Sequence, residues 1–175
     1  MRPTTEACEK TKLGLAAEIL RAGGTIRLRA RGASMLPTVW PGDWLTVESL
    51  SAEAPIPGDI VLVARDSGFR IHRLARRIVR EGRSQWITRG DALPRFDPPA
   101  EACEVLGRVS VIDRGDRLFA PERTLSWVRR GIAILLSQCS PLRNFILRRR
   151  SRDLSRFRRT GSTSTDSMFY ASSNQ

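Results

Sequence analysis

Histidine and lysine are almost absent from this chain. Its 175 residues include one histidine, His72, and only two of the 30 basic residues are lysines, Lys10 and Lys12. A serine hydroxyl becomes a useful nucleophile only beside a base, which is usually a desolvated lysine or a histidine oriented by a carboxylate. A lysine base would require the N-terminal segment to fold back onto the rest of the chain. His72 is therefore the candidate base for any site built after residue 12.

Cysteine and long apolar runs are also scarce. The three cysteines, Cys8, Cys103 and Cys139, are far apart and form no CxxC pair. With a single histidine, that spacing predicts no metal site, and nothing in the sequence implies a cofactor. No run of ~18 uncharged apolar residues is present, which argues against a transmembrane helix. The N-terminus also lacks a signal-peptide pattern. We therefore expect a cytoplasmic protein or one bound peripherally to a membrane.

Positive charge is concentrated towards the C-terminus. The net charge is +12, and residues 143–159 contain eight arginines against one acid, Asp153. We interpret residues 148–175 as an Arg-rich, then Ser/Thr-rich, disordered tail instead of a nucleic-acid-binding segment. Residues 121–147 form an amphipathic helical pattern. We favour packing of this segment against the rest of the protein, with peripheral contact to an anionic membrane as the alternative.

The middle of the chain has the two-residue period of β-structure. A helical pattern over residues 5–22 ends at Gly23-Gly24, so residues 1–24 are predicted as an N-terminal amphipathic helix. From Thr25 onwards short apolar runs are separated by Pro-Gly-Asp turns, and Glu81-Gly82-Arg83 marks a hairpin. These features predict a mainly β domain over residues 25–120, flanked by N- and C-terminal helices. The predicted strands are residues 26–31, 44–47, 60–63, 70–79, 85–88 and 105–112.

Three chemistry-bearing residues lie at the edges of these strands. Ser34 occupies the turn Gly32-Ala33-Ser34-Met35-Leu36-Pro37-Thr38, and His72 lies 38 residues downstream. The orienting acid is either Asp91, after Gly90, or Asp97, before two prolines. We favour Asp91, because a carboxylate at a strand end is held more rigidly than one in a Pro-flanked loop. The backbone N–H of Ser34, with a second donor from Gly32-Ala33, is the predicted oxyanion site.

Each of these residues alone is typical of an ordinary turn or strand, and it is their joint order that suggests chemistry. That order resembles the signal peptidase I family of serine peptidases. The matching segments cover residues 30–112. They are Ser34-Met35-x-Pro37-Thr38 with Gly42-Asp43, Gly58-Asp59-Ile60-Val61, His72-Arg73, Gly90-Asp91, and Val105-Leu106-Gly107-Arg108-Val109.

The resemblance is to the branch typical of endoplasmic-reticulum and archaeal enzymes, which has histidine where other members have lysine. It implies a coiled β-sheet peptidase domain of the signal-peptidase/LexA-like type. Ser34 would be the nucleophile, His72 the general base, and Asp91 or Asp97 the acid. The implied substrate is a precursor or leader polypeptide that pairs with a strand beside the nucleophile and presents small side chains at the scissile bond.

Two other functions compete with a serine endopeptidase. A non-catalytic binding protein could use the same scaffold, with its basic tail contacting acidic lipid or nucleic acid. A self-cleaving regulator is the other, although residues 1–24 are too short for a DNA-binding helix-turn-helix domain and no lysine base is available. Family members also carry a membrane span before the serine motif, which this sequence lacks.

Overall fold

The computed structural model describes residues 5–50, 53–65, 68–115 and 117–124, together with Gly131. One helix precedes a set of antiparallel strands. The predictions for residues 125–175, namely most of the amphipathic segment and the tail, lie outside the described residues, apart from Gly131. The elements are α1 (Thr5–Arg21), β1 (Thr25–Arg29), β2 (Trp44–Ser49), β3 (Ile60–Arg65), β4 (Gly68–Arg80), β5 (Arg83–Arg89), β6 (Ala100–Glu101), a 3-10 turn (Ala102–Glu104), β7 (Val105–Arg114) and β8 (Arg117–Phe119).

All eight strands belong to one antiparallel sheet. The spatial order is β1-β2-β7-β3-β4-β5-β6, and β8 pairs with the end of β7. Strand β7 joins the two halves because it pairs with both β2 and β3 and is bulged against each. Bulges bend a strand and increase its twist, which lets one sheet curl around its own apolar side chains. The mainly β fold predicted from the sequence is confirmed.

Strand β3 is covered on both faces. Ile60 and Leu62 belong to one apolar cluster, while Val61 and Val63 belong to another. Such a strand reads as a continuous apolar run instead of an alternating one. The first cluster includes Leu20 from the last turn of α1, so the helix closes one face of the sheet. No helix among the described residues is long and apolar enough to cross a membrane.

The two Pro-Gly-Asp segments fold as matching turns. Gly42 and Gly58 have φ of 95° and 101°, which the third position of a type II turn requires after proline. In each turn the aspartate side chain accepts the backbone N–H three residues earlier, at 2.8 Å for Asp43 and 3.1 Å for Asp59. Both carboxylates are buried, and each pairs with an arginine later in the chain, Asp43 with Arg114 of β7 and Asp59 with Arg123 beyond β8.

The other sequence-level predictions match the elements closely. The helix over residues 5–22 is present as α1, and every predicted strand is found. Glu81 and Gly82 both have positive φ, as a two-residue hairpin turn between β4 and β5 requires. The short strands β6 and β8 were not predicted, because two or three residues carry no readable period.

Candidate active site

The turn that carries Ser34 is fixed by its apolar neighbours. Met35 and Leu36 are buried, with exposed fractions of 3% and 0%. The Val39 N–H donates to the Met35 carbonyl at 2.9 Å, and the Ala92 N–H donates to the Ser34 carbonyl at 2.9 Å. Because the two residues after the serine are anchored inward, the serine side chain is left at the partly exposed edge of the turn.

His72 lies on β4, opposite Val61 of β3, and is buried. Its Nε2 lies 2.9 Å from the Ser34 Oγ. Its Nδ1 lies 2.5 Å from a carboxylate oxygen of Asp97. An ionised carboxylate only accepts hydrogen bonds, so Nδ1 carries the proton and neutral imidazole leaves Nε2 to accept from the serine hydroxyl. This is the tautomer that a general base requires.

The Asp97 carboxylate is held by three side chains. Besides His72, its Oδ2 accepts from the Thr88 hydroxyl at 2.7 Å, and its Oδ1 accepts from the Arg70 guanidinium at 3.1 Å. Burial alone would raise the pKa of Asp97. The hydrogen bonds from Thr88 and His72, the positive charge of Arg70 and the charge that His72 carries when protonated outweigh burial, and the pKa of Asp97 is lowered. The carboxylate therefore stays ionised beside the imidazole.

Asp91 does not contact His72, contrary to our preference for it as the orienting acid. Its two carboxylate oxygens accept from Arg73, Nε to Oδ1 at 2.8 Å and Nη2 to Oδ2 at 2.9 Å. The Thr38 hydroxyl also donates to Oδ2, at 2.5 Å. The physical reason is strand alternation: Arg73 follows His72 directly, points away from it, and brings its guanidinium to the nearest buried carboxylate.

A family model described as Peptidase S24-like matches residues 3–110, more than half of the chain. The chain belongs to the Peptidase S24-like family. Searches of curated proteins and of solved structures gave no significant match. Family membership, within the LexA/signal-peptidase-I-like superfamily, makes this a serine-peptidase-type or LexA-like protein.

The Asp91 loop of this S24-like domain is hydrogen-bonded to the turn that carries Ser34. Arg73 also connects this loop to the turn before β3 and to the segment after β8, because it donates to the carbonyls of Gly58 and Glu122. Gly90 permits the close approach, because a Cβ at that position would lie 2.6 Å from the Ser34 carbonyl oxygen. Asp91 thus positions the turn of Ser34, although it takes no part in the serine–histidine contact.

The main donor of the predicted oxyanion site makes no other hydrogen bond. The backbone N–H of Ser34 has no hydrogen-bond partner among the residues that the structure describes. It is therefore available to donate to a further acceptor.

Sequence reasoning missed the residues that hold Asp97. Thr88 lies at the end of β5 and is buried, and its backbone carbonyl also accepts the Asp97 N–H at 2.8 Å. Arg70 precedes His72 by two residues on β4, and this spacing places both side chains on one face. That spacing was a readable signal for Arg70. Within the described ranges no group of three or more His, Cys, Asp or Glu side chains could hold a metal ion.

Proposed function

We propose that this S24-like protein is a serine endopeptidase that cleaves a precursor or leader-type polypeptide. Ser34 is the nucleophile, His72 the general base and Asp97 the orienting acid in place of Asp91. One observation carries the proposal. Hydrogen bonds of 2.9 Å and 2.5 Å link the serine hydroxyl, the imidazole and the carboxylate in a continuous line.

The reaction follows from that line. His72 Nε2 takes the Ser34 proton as Oγ attacks the scissile carbonyl carbon, and the imidazolium is stabilised by ionised Asp97. The Ser34 N–H donates to the oxyanion of the tetrahedral intermediate. His72 then returns the proton to the leaving amine, and the acyl-enzyme forms on Oγ. Water, activated by the same imidazole, attacks the ester and releases the second product.

The substrate class rests on the resemblance to the histidine-containing branch of the signal peptidase I family. Such an enzyme binds its substrate as an added strand, with small residues beside the scissile bond. Strand β1 stands at one end of the sheet order and begins the chain segment that leads to Ser34. We propose that a precursor polypeptide is the partner and that contact with an anionic membrane is peripheral.

Cleavage of a peptide library tests the proposal. Full-length protein and its Ser34→Ala variant are incubated with peptides that present small residues at every register, with and without anionic vesicles, and mass spectrometry records the cuts. We expect cuts from the wild type alone. Equal absence of cuts from both proteins, with autoproteolysis also absent, would favour the non-catalytic binding protein. Cuts confined to the chain itself would instead favour the self-cleaving regulator.

Asp97 should keep its role as the pH falls into the usual carboxyl range. The lowered pKa of Asp97 keeps this carboxylate ionised until the pH is below that range. We therefore expect the ratio of kcat/KM between the wild type and Asp97→Asn to stay constant as the pH falls into the usual carboxyl range. A ratio that is already lost above this range would contradict the lowered pKa.

The same carboxylate makes folding sensitive to stronger acid. Because the pKa of Asp97 is lower in the folded than in the unfolded protein, its stabilising contribution is complete above the unfolded pKa. It is lost as the pH falls through the folded value. Thermal melts of wild type and Asp97→Asn should therefore converge at acid pH and diverge near neutrality.

A further inference from the structure

The Asp97 carboxylate is buried, although the loop that carries it is exposed. Its side chain is 7% exposed, whereas its neighbours in the loop are exposed residues. These are Pro94, Arg95, Phe96, Pro98 and Pro99. Exposed loops are ordinarily more mobile than the strands that they connect. An orienting acid has to stay within about 0.5 Å of its productive position, so further contacts are needed to hold this loop.

The aromatic ring beside Asp97 is held by two arginines. The guanidinium carbons of Arg76 and Arg89 lie 5.7 Å and 5.0 Å from the ring centroid of Phe96, within the range of cation–π attraction. Arg76 pairs with Ile87, which is two residues before Arg89 on β5, so the two arginines share one face of the sheet. Phe96 is itself 50% exposed. We call Phe96, Arg76 and Arg89 the ring clasp.

The ring clasp and the Asp97 carboxylate lie on opposite faces of the sheet. Thr88 and Arg89 are adjacent on β5, so their side chains point to opposite faces. Thr88 donates to the Asp97 carboxylate, while Arg89 contacts the Phe96 ring. Between these two contacts, the Asp97 N–H donates to the Thr88 carbonyl at 2.8 Å. Phe96-Asp97 therefore straddles the end of β5, with one side chain anchored on each face.

We propose that Phe96 is a positioning residue that keeps the Asp97 carboxylate against His72. The inference rests on the proposed function, in which Asp97 orients the imidazole. A rotation of the loop about its hydrogen bond to β5 that moved the carboxylate off His72 would also pull the ring off Arg76 and Arg89. The ring clasp therefore opposes this rotation from the other face of the sheet. A displacement of about 1 Å in such a contact can lower a rate about 100-fold.

The other neighbour of Asp97 has an anchor of its own. Arg65 of β3 donates to the Pro98 carbonyl at 2.8 Å. The same guanidinium is ion-paired with Glu104 at 2.9 Å. Loss of the Phe96 ring therefore frees the loop on one side only. We expect the carboxylate to leave His72 for part of the time and not to be released altogether.

The tautomer of His72 reports this displacement without any substrate. His72 is the only histidine, so every imidazole signal of the full-length protein labelled with ¹⁵N-histidine belongs to it. In the wild type, the hydrogen bond to ionised Asp97 holds the proton of the neutral ring on Nδ1. We expect Phe96→Ala to transfer part of the neutral population to the Nε2–H tautomer, and Phe96→Tyr to keep the wild-type nitrogen shifts. The Asp97 N–H should also exchange faster with solvent in Phe96→Ala.

A second ring held by arginines supplies the matched control. The ring centroid of Trp44 lies 4.9 Å and 6.0 Å from the guanidinium carbons of Arg27 and Arg29. Its strand, β2, is separated from β4 by β7 and β3. Trp44→Ala should leave the tautomer and the Asp97 N–H exchange unchanged, at temperatures where thermal melts show both variants to be folded. Equal changes in the two variants, or none in Phe96→Ala, would overturn the proposal.

Kinetics separate positioning from a general loss of structure. Phe96→Ala is expected to lower kcat about 5- to 30-fold, as two cation–π contacts at an exposed site allow, with KM nearly unchanged. In the Asp97→Asn background the same substitution should lower kcat by less than about twofold, because the carboxylate through which it acts is gone. An equal factor in both backgrounds would mean that Phe96 does not act through Asp97, and the proposal would be wrong.

The proposed function can fail on its own. If the wild type cleaves no peptide while Phe96→Ala changes the tautomer as expected, the positioning role holds and only the peptidase activity is wrong. If the wild type cleaves and Ser34→Ala does not, but Phe96→Ala keeps the wild-type tautomer and kcat, the peptidase stands and the positioning role is wrong.

Discussion

Alanine at Ser34, at His72 or at both is expected to leave the same residual turnover, lower than that of the wild type by a factor on the order of 10³ or more. In the proposed mechanism the two side chains act in one step, because the imidazole 2.9 Å away takes the proton of the hydroxyl. Once either is removed, the other has nothing left to contribute. Single-turnover rates of the two single variants and the double variant on one peptide measure this non-additivity.

Folding must be separated from chemistry in this experiment. Ser34 lies at the partly exposed edge of its turn, so Ser34→Ala should keep the melting temperature of the wild type. His72 is buried, and His72→Ala leaves a cavity beside the Asp97 carboxylate. The larger variant His72→Gln fills more of this space and serves as the second test. Effects of Ser34 and His72 that multiply would mean that the two residues do not work as a unit.

The sequence predicted that Ser34 and His72 lie together, because the scarcity of histidine and lysine left one candidate base. His72 is the only histidine, and the two-residue period placed it on a strand that could return to the turn of Ser34. The structure places the two side chains in hydrogen-bond contact. The strands were predictable for a different reason. Alternation of apolar and polar residues and Pro-Gly turns are local signals, and tertiary packing did not override them.

The choice between two carboxylates depended on tertiary contacts that no local pattern reveals. We favoured Asp91 because strand ends are rigid, yet Asp97 is equally fixed by Thr88, by Arg70 and by its own backbone N–H. The Asp91 carboxylate is instead ion-paired with the Arg73 guanidinium. The pair His72-Arg73 did contain a clue, since adjacent strand residues face opposite sides and a buried guanidinium requires its own acid.

Asparagine at the two acids should affect different properties: stability at position 91 and the catalytic rate at position 97. Asp91→Asn is expected to cost roughly 3 kcal/mol of stability, because it leaves the mostly buried Arg73 guanidinium without a counter-charge. Its kcat should change little at temperatures where the protein is folded. Asp97→Asn is expected to lower kcat by about 10² to 10⁴ with a smaller loss of melting temperature. Steady-state kinetics and thermal melts of both variants separate the two roles.

Arg70 explains why asparagine at position 97 should be so harmful. A guanidinium only donates, so it draws the amide oxygen of the new side chain to the position that Asp97 Oδ1 occupies. The amide NH₂ then faces His72 Nδ1, which must accept, and the ring proton moves to Nε2. In that tautomer His72 cannot take the serine proton. Adding Arg70→Ala to Asp97→Asn frees the amide to turn and should recover part of the lost rate. If the double variant is no faster than Asp97→Asn, the amide is not oriented by Arg70.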